Sequence, residues 1–322
     1  MPRRISDAAT NAQRYLRGWC YIRDTFWLEC MIRHHIWPAG FTVDKHGQLR
    51  LPGVETPVPR LHAERVVPTL PSRAILERIG QHGATFDFDP VTGPVVTANG
   101  VSLLLDGHGV LETFDEVVIR EFYRTTLRRP TVVWDIGMNV GLASLYFAAN
   151  SNVEAVYGYE PFKQTFDSAV ANFRINREIA GKIVPRNMGI SSKSYSTTAL
   201  YHIDYSAALG VEGVAVDVNL ADFESQTIEL LSAVDVYNDI RARHPDAALL
   251  IKMDCEGSER SIIPALLSLD SLRDRVQLNI ETHFDCHTEI LAQLEAHGFK
   301  AFGLATEYPG VWLLHAVSNV EW

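Results

Sequence analysis

Residues 131–162, TVVWDIGMNVGLASLYFAANSNVEAVYGYEPF, carry the pattern from which the fold can be predicted. The apolar start is typical of a buried strand, the turn at residues 135–141 contains two glycines, and a helix and a second apolar strand follow. The second strand ends in Glu160, about twenty residues after the last glycine. Together these features predict the βαβ unit with which α/β sheets bind nucleotide-like ligands. An ordinary glycine turn followed by a solvated acid is the alternative.

Gly137 and Gly141 lie in this turn, where residues without a Cβ permit a tight backbone conformation. The same lack of a Cβ lets the backbone approach a ligand closely, so both glycines are candidate binding residues. Glu160 is placed where such units hold a carboxylate against ribose hydroxyls. The sequence therefore predicts a nucleotide-like ligand beside these two strands.

The composition is that of a globular protein able to build a sizeable core. The 322 residues are 47% hydrophobic and 21% charged, which fits one large domain with an extension, or two domains. A formal net charge of −10 argues against a nucleic-acid binder, which needs a surplus of Lys and Arg on one face. No apolar run is long enough to span a membrane or to serve as an export signal, so we expect a cytoplasmic enzyme. Reduced thiols are expected because no CxxC or disulfide-like spacing links Cys20, Cys30, Cys255 and Cys286.

Residues 7–37 are rich in aromatic side chains that recur at three- and four-residue steps, and this spacing predicts a long helix. Asp7 would cap its start, and Pro38 with Gly40 would end it. The aromatic face favours core packing or a homodimer surface, with the wall of a substrate pocket as the alternative. We therefore predict a homodimer built partly through this segment.

The chain between this segment and the central stretch alternates between turns and short regular elements. His46-Gly47 predicts a hairpin turn, and Asn99-Gly100 predicts a second turn within a small β-meander. Residues 72–82 fit a short helix capped by Ser72, and residues 113–128 fit an amphipathic helix.

Beyond Glu160 the alternation of strands and helices continues to the end of the chain. Its predicted strands are residues 182–184, 248–254, 276–281, 299–305 and 311–317. Its predicted helices are residues 163–176, 225–243, 258–268 and 287–297. The short connection through Pro309-Gly310 implies that the last two strands are antiparallel, because parallel neighbours need a long crossover. The sequence predicts a parallel sheet with one antiparallel strand near its C-terminal edge.

Four motifs in this half of the chain agree with one family, and they are WDIGMNVG at residues 134–141, YGYEPF at 157–162, IKMDCEGSE at 251–259 and IETH at 280–283. Over roughly residues 96–317 the chain resembles the FkbM-type branch of the S-adenosylmethionine-dependent class I methyltransferases. The string K-x-D-x-E-G-x-E is the most discriminating of these motifs, because glycine turns occur in many nucleotide-binding proteins. Met138 departs from the family, which commonly has Ala there.

The resemblance implies a Rossmann-like class I methyltransferase sheet of seven strands, mostly parallel, with one antiparallel strand near the C-terminus. It divides the chain into an N-terminal helical and β extension, residues 1–95, and a domain that binds S-adenosyl-L-methionine, residues 96–322. The extension matches no pattern, and a dimer or substrate-cap role is expected for it.

The resemblance also implies which residues bind the methyl donor. Glu160 would hold the ribose diol, Phe162 would lie beside the adenine, and Glu116 would approach the donor's ammonium. An acid such as Asp135 would repel a pyrophosphate, whereas it suits a donor that carries a sulfonium and an ammonium. Helix-cap or surface roles are the alternative for Asn187 and Glu116. The residues implied to bind the donor are Glu116, Asp135, Gly137, Asn139, Gly141, Glu160, Pro161, Phe162, Asn187 and Asp254.

Acidic residues and one histidine follow the fourth and fifth predicted strands. Because ligands bind at the carboxyl edge of a parallel sheet, Asp254, Glu256, Glu281 and His283 should converge beside the donor. His283 is the expected general base for a hydroxyl acceptor, with Asp254 or Glu256 as the alternative if burial raises the carboxyl pKa. A divalent metal held by Asp254, Glu281 and His283 is a second reading, although nothing in the spacing requires one. Glu256 or Glu259 could instead cap the following helix, and a structural role is expected for Glu259.

The sequence and the resemblance together predict an O-methyltransferase. Its expected acceptor is a hydroxyl of a sugar, a glycan precursor or a specialised metabolite, so its partner is a small molecule or a glycan. Transfer to an amine nitrogen is the alternative within the same class. An NAD-dependent oxidoreductase and a catalytically silent binding protein are the alternatives from other classes.

Overall fold

The computed structural model describes residues 22–89, 91–107, 109–202, 209–210, 213–214 and 223–318. The chain separates into two compact units, Met1–Phe122 and Tyr123–Trp322. The division at residues 95 and 96 that the resemblance implies stays a prediction, because it concerns roles rather than compactness.

The first unit combines a hairpin with a three-stranded antiparallel sheet, as the sequence predicts. The turn at Asn99 and Gly100 has positive φ at both residues, 51° and 77°, as a tight two-residue hairpin requires. The strands of this unit are β1 (Thr42–Val43), β2 (Leu49–Arg50), β3 (Thr85–Asp89), β4 (Gly93–Ala98) and β5 (Val101–Leu104). Its helices are Thr25–Arg33, Ala63–Val66, Arg73–Gln81 and Val110–Phe114, with short 3-10 turns at Arg60–His62 and Val67–Thr69.

The second unit is built on a large sheet and a small one. Its strands are β6 (Thr131–Ile136), β7 (Val153–Tyr159), β8 (Ile183–Arg186), β9 (Gly189–Ser191), β10 (Tyr195–Tyr201), β11 (Leu209–Gly210), β12 (Gly213–Val214), β13 (Glu224–Ser232), β14 (Ala248–Met253), β15 (Val276–Thr282), β16 (Lys300–Ala305) and β17 (Trp312–Val317). Its helices are Leu142–Ala148, Lys163–Ile175, Arg177–Ala180, Ala233–Arg243, Glu259–Leu267 and His287–Ala296, with a 3-10 turn at Asp270–Arg273.

The large sheet has seven strands in the order β16-β17-β15-β14-β6-β7-β8. β17 is antiparallel to both β15 and β16, and the other neighbouring pairs are parallel. The short connection through Pro309 and Gly310 explains the antiparallel pair, because it leaves no room for a crossover. The mostly parallel, Rossmann-like sheet predicted from the sequence is confirmed.

β6 and β14 lie side by side at the centre of this sheet, and all six residues of each strand are buried. In the parallel register Lys252 of β14 lies opposite Asp135 of β6. The carboxyl ends of β6, β14 and β15 meet at one edge, where α/β sheets bind their ligands. The sheet therefore brings the ends of the predicted motifs to a common place.

The prediction of one helix over residues 7–37 is wrong in its second half, where the helix spans only Thr25–Arg33. Asp24 is extended, with φ of −141°, and its carboxylate accepts the backbone N–H groups of Phe26 and Trp27, so a new helix begins there. His35 has a φ of 60°, which prevents continuation toward Pro38. Residues 7–21, and with them the cap at Asp7, lie outside the described residues, so the dimer surface stays a prediction.

The helix predicted over residues 113–128 begins earlier and ends earlier. Val110–Phe114 is α-helical, Asp115–Ile119 forms a π-helical turn, and the next residues are irregular. Glu121 has a φ of 51°, which a helix does not tolerate. In the shorter predicted helix, Arg73–Gln81, the hydroxyl of Ser72 makes no capping hydrogen bond.

The helix predicted over residues 225–243 is a strand followed by a helix. β13 shows alternating burial at Ile228, Leu230 and Ser232, and it pairs with β10 and β9 in the small sheet. The hydroxyl of Ser232 accepts the backbone N–H of Asp235 at 3.3 Å and starts the helix. The apolar spacing in TIELLSAV fits both periods, so the sequence alone did not separate them.

Two expectations about chemistry and environment can be compared with the described residues. Cys30, Cys255 and Cys286 are free thiols, as expected, whereas Cys20 lies outside the described residues. Among the helices that the structure describes, none has the length and apolar character needed to cross a bilayer.

Candidate active site

The glycine turn after β6 is packed tightly against the end of β14. Gly137 and Gly141 have φ values of 75° and 81°, as a tight turn requires. A Cβ at Gly137 would lie 1.6 Å from the carbonyl oxygen of Asp254, and one at Gly141 would lie 2.6 Å from the ring of Phe173. A Cβ at either position would thus meet protein atoms, so both glycines are required for packing within the chain, and their contact with a ligand stays a prediction.

Asp135, the next-to-last residue of β6, is a fully buried carboxylate with partners within the chain, although its Oδ1 makes no hydrogen bond to the described residues. The hydroxyl of Ser144 donates to Asp135 Oδ2 at 2.6 Å, and Lys252 Nζ lies 3.2 Å from Oδ1. The structure therefore directs Asp135 toward these two side chains. Its predicted contact with the donor stays a prediction.

Lys252 is a buried cation that sequence reasoning did not assign to the site. Its Nζ donates to the carbonyl of Gly137 at 2.6 Å and lies 3.6 Å from Asp254 Oδ2 and 5.4 Å from the centre of the Tyr123 ring. Burial acts to lower the pKa of Lys252, but the carboxylates of Asp135 and Asp254 outweigh it and raise that pKa. A lysine inside an otherwise apolar strand was the available signal.

Glu160 follows β7 and is held by two backbone amides. Its Oε2 accepts from the N–H of Asn139, and its Oε1 accepts from the N–H of Phe162, both at 3.0 Å. Burial raises the pKa of Glu160 to about 7, although these two hydrogen bonds favour the ionised form. Each oxygen keeps a second lone pair, so the carboxylate can still accept two hydroxyl groups.

Asn139 offers an observation that points to a ligand. It occupies the left-handed region with φ of 49°, and its Oδ1 is buried without a hydrogen-bond partner among the described residues. Such an orphaned acceptor in a glycine turn fits a ligand that donates a hydrogen bond, as an amino acid ammonium does. The acceptors at Asn139 and Glu160 are compatible with S-adenosylmethionine, which carries an ammonium and a ribose diol.

The residues expected around the adenine have contacts of their own. Asn187 Nδ2 donates to the carbonyls of Glu160 and Pro161, at 2.9 and 3.1 Å, so its amide fixes the backbone beside the carboxylate. Phe162 is buried, with its ring 5.3 Å from that of Tyr201. Glu116 belongs to the first unit, where it pairs with Arg120 at 3.3 Å. Its approach to the donor stays a prediction.

The structure brings Asp254, Glu256, Glu281 and His283 together at the ends of β14 and β15, and we call these four residues the acid cluster. His283 Nε2 lies 3.4 Å from Glu256 Oε2, 3.9 Å from Asp254 Oδ1 and 4.0 Å from Glu281 Oε1. Asp254 is the most accessible member, with 27% of its side chain exposed, against 5% for His283. Asp254 is therefore the member of the acid cluster that is most open to solvent.

Glu259 anchors both the loop after β14 and the imidazole of the acid cluster. The predicted helix cap describes only part of this role. Its Oε2 accepts from Gly257 N at 2.8 Å and its Oε1 from Cys255 N at 3.2 Å. The same Oε1 lies 3.0 Å from His283 Nδ1. Glu259 thus fixes the loop after β14 and the orientation of the imidazole at once.

Tyr123 is a second member of the site that sequence reasoning missed. Its hydroxyl donates to Glu281 Oε2 at 3.1 Å and to Asp254 Oδ2 at 3.3 Å. No motif surrounds Tyr123 in the sequence, and only the fold places it beside residues more than a hundred positions away.

Burial and crowding shift the protonation of the acid cluster. Burial is the largest cause that raises the pKa of Glu256 and of Glu281, and the neighbouring carboxylates add to it. Burial acts to lower the pKa of His283, but Glu259 and Glu256 outweigh it and raise that pKa. The protein alone therefore favours the imidazolium form of His283.

Comparisons with known proteins agree on one family. A sequence profile described as the methyltransferase FkbM domain matches residues 135–301. The 31-O-demethyl-FK506 methyltransferase FkbM of Streptomyces tacrolimicus is 28% identical over 194 residues, which cover 54% of this chain and 74% of that protein. The hexuronic acid methyltransferase AglP of Haloferax volcanii is 25% identical over 135 residues, 42% of this chain and 49% of that protein. A crystal structure of the methyltransferase FkbM from Methylobacillus flagellatus KT is 14% identical and aligns with 97% of this chain and 60% of that chain, with a TM-score of 0.40.

Proposed function

This chain belongs to the FkbM methyltransferase family, and from that premise we propose that it moves a methyl group from S-adenosylmethionine to a hydroxyl group. The proposed acceptor is a sugar, a glycan precursor or a specialised metabolite. Two methyltransferases that this chain resembles are named for 31-O-demethyl-FK506 and for a hexuronic acid, which supports an oxygen acceptor on a small molecule or glycan.

The donor is proposed to bind along the glycine turn at residues 135–141, which we call the donor turn, and along the end of β7. Asn139 Oδ1 would accept from the ammonium, and the carboxylate of Glu160 would accept from the ribose diol. Phe162 and Asn187 would flank the adenine. When bound, the donor supplies a methyl group on a sulfonium, whose sulfur keeps the electron pair as the C–S bond breaks and the C–O bond forms.

The acceptor hydroxyl is proposed to lie against Asp254, at the accessible side of the acid cluster. The proton of this hydroxyl is proposed to pass to the cluster, where Asp254 or the neutral form of His283 would receive it. The observation that carries this proposal is the close contact between the donor turn and the end of β14. The carbonyl of Asp254 packs on Gly137, so the acceptor side adjoins the donor turn. Transfer then depends largely on holding the two reacting atoms in line.

The direct test is donor-dependent methylation of a panel of sugars, phenols and amines. We expect a hydroxyl compound to be methylated and Asp254→Asn and His283→Ala to lower kcat by about 10²- to 10⁴-fold while donor affinity changes little. Glu289→Gln, on an exposed helix of the same unit, is the matched control and should leave kcat unchanged.

Several outcomes would contradict the proposal in different ways. Exclusive methylation of amines would replace oxygen by nitrogen as the acceptor atom. Calorimetric binding of NAD without binding of S-adenosylmethionine would replace methyl transfer by a redox function. Donor affinity and melting temperature that fall together with kcat in His283→Ala would assign His283 a structural role.

A further inference from the structure

Two polar atoms of the acid cluster are left without hydrogen bonds by the described part of the chain. Glu256 Oε2 is buried and has no hydrogen-bond partner there. His283 is 4% exposed, its Nδ1 is engaged by Glu259, and its Nε2 faces carboxylate oxygens at 3.4–4.0 Å. These distances exceed the range of about 2.7–3.2 Å for an N–H···O hydrogen bond. Glu256 Oε2 and His283 Nε2 thus face each other 3.4 Å apart without a hydrogen bond, and a buried carboxylate oxygen beside a buried ring nitrogen can bind a cation.

We infer that Asp254, Glu256 and His283 bind a divalent transition-metal ion through Asp254 Oδ1, Glu256 Oε2 and His283 Nε2. This inference rests on the proposed function, because it explains how the acid cluster would handle a hydroxyl acceptor. Ligand atoms of the three residues all lie within 4.8 Å of one another. Glu281, which the sequence reading had placed in a metal group, stands outside this set.

The ligand separations fit an ion of ordinary size. Bonds of about 2.1 Å to nitrogen and oxygen place two ligands roughly 3.0 Å apart at a right angle and about 3.4 Å apart at a tetrahedral angle. His283 Nε2 lies 3.4 Å from Glu256 Oε2 and 3.9 Å from Asp254 Oδ1. The first pair needs no movement, and a small rotation of the partly exposed Asp254 side chain closes the second.

The hydrogen bonds around these ligands also match a metal site. A metal-bound histidine usually donates its other ring nitrogen to a carboxylate, which fixes the tautomer and the ring. His283 Nδ1 lies 3.0 Å from Glu259 Oε1, and Glu259 is fully buried and anchored by two backbone amides. Asp254 is held in the same way through its second oxygen, to which the hydroxyl of Tyr123 donates. His283 and Asp254 are thus each oriented by a hydrogen bond at the atom that would not bind the ion.

The ligand types select the class of ion. One imidazole nitrogen with two carboxylate oxygens suits manganese, iron or zinc better than magnesium or calcium, which prefer oxygen ligands alone. Lys252 Nζ lies 3.6 Å from Asp254 Oδ2, the oxygen that the inferred ion does not use, and its shorter contacts are to Asp135 and the carbonyl of Gly137, so it does not take the place of such an ion. A bound ion would coordinate the acceptor oxygen and acidify its hydroxyl. With Asp254 Oδ1 and His283 Nε2 bound to the ion, the O–H proton would pass to the carboxylate of Glu281 instead of to His283 or Asp254.

The first unit contains a matched control. Cys30, His34 and Glu64 also bring three ligand atoms within 4.8 Å of one another. Arg33 Nη1 lies 2.6 Å from Glu64 Oε1, and the Glu64 side chain is 59% exposed, so a cation there would be repelled and strongly hydrated. His34→Ala should therefore leave metal binding unchanged.

The experiment is a titration of the chelator-treated full chain with Mn²⁺ alone, followed by electron paramagnetic resonance and repeated with Zn²⁺ as competitor. We expect one Mn²⁺ per chain in the wild type and in His34→Ala. Glu256→Gln and Asp254→Asn should bind at least about ten-fold more weakly because each loses a charged ligand, and Glu259→Gln should lose about 10- to 100-fold through the freed imidazole. Zn²⁺ should displace the bound Mn²⁺.

Absence of stoichiometric Mn²⁺ or Zn²⁺ binding by the wild type would overturn the inference, as would equal binding by Glu256→Gln and Asp254→Asn. Far-UV circular dichroism and melting temperature without metal establish that each variant is folded, and Asp254→Asn tests the site if Glu256→Gln does not fold. Methyl transfer that persists in chelator would end the metal inference while supporting the proposed function. Metal binding without methyl transfer to any acceptor would do the reverse.

Discussion

The donor turn and the acid cluster lie at the same edge of one sheet, yet their buried carboxyl groups have different kinds of partners. Beside the donor turn the buried carboxylates have partners within the chain. Ser144 and Lys252 contact Asp135, and Glu160 accepts hydrogen bonds from two backbone amides. These groups are fixed before any ligand arrives. Such preorganisation lowers the cost of binding, since little has to be ordered or desolvated at that moment.

The acid cluster instead crowds several carboxyl groups around one imidazole. Asp254, Glu256 and Glu281 surround His283, and Glu259 adds a fourth carboxyl group behind it. Burial raises the carboxyl pKa values of Glu256 and Glu281, and the neighbouring carboxylates add to this effect. The contrast teaches that one side of this edge pairs each carboxylate with its own partners, whereas the other side places several carboxyl groups around a single histidine.

Among the changes that test this contrast, Lys252→Met should have the largest effect, and the quantity affected is the free energy of unfolding. Removing the buried cation leaves Asp135 as an uncompensated buried carboxylate, which should lower the free energy of unfolding by about 3–5 kcal/mol. Urea unfolding followed by circular dichroism measures it. Lys163→Met is the control, since Lys163 and Asp167 form an exposed pair with 63% and 56% of their side chains accessible. That change should cost less than about 0.5 kcal/mol, and an equal loss in both variants would mean that Lys252 is not a special charge.

Glu160→Gln tests whether the donor side is a prepared binding site. An amide group accepts hydroxyl donors less strongly than a carboxylate, so affinity for S-adenosylmethionine should fall about 10- to 100-fold. Titration calorimetry measures the affinity, and circular dichroism at the same temperature confirms that the variant is folded. Glu154→Gln, an exposed change on the same strand, should bind the donor normally. Unchanged affinity in Glu160→Gln would remove the ribose role from Glu160.

The smallest expected effect concerns pH. Because burial raises the pKa of Glu160 to about 7 in the folded protein, the stability this carboxyl contributes is present below its unfolded pKa of 4.5 and is lost as pH rises through about 7. Glu160→Gln lacks this loss. Its free energy of unfolding relative to the wild type should therefore increase by about 1–2 kcal/mol between pH 5 and pH 8. Glu154→Gln should show no such trend, and a flat difference for Glu160→Gln would place its pKa near the ordinary value.

The fold was predictable from the sequence wherever local pattern and burial agree. β6, β7, β14 and β15 are apolar runs ended by glycines or acids, and a short turn fixed the antiparallel pair at the C-terminus. The errors occurred where a local pattern served two structures. Residues 225–243 carry an apolar spacing that suits a strand and a helix, and pairing with β10 and β9 decided for a strand in the first half.

The site was predictable in its motifs and not in its connections. Asp254, Glu256, Glu281 and His283 follow strand ends, so their convergence follows from parallel topology. Tyr123 belongs to no motif, and Lys252 begins the string K-x-D-x-E-G-x-E but was given no role in the site. Their roles depend on distances across the chain that only the folded sheet defines.

The sequence by itself determined the strands of the large sheet, the turn at Gly137 and Gly141, and the family, because each depends on residue types at short spacing. Tertiary structure alone decided which charges are satisfied. Asp135 and Glu256 are equivalent as acidic residues in a sequence. The free energy of each ionised carboxylate, however, depends on its burial and on the groups within a few ångströms. Asp135 is therefore paired with Lys252, whereas Glu256 lies among other carboxyl groups beside His283.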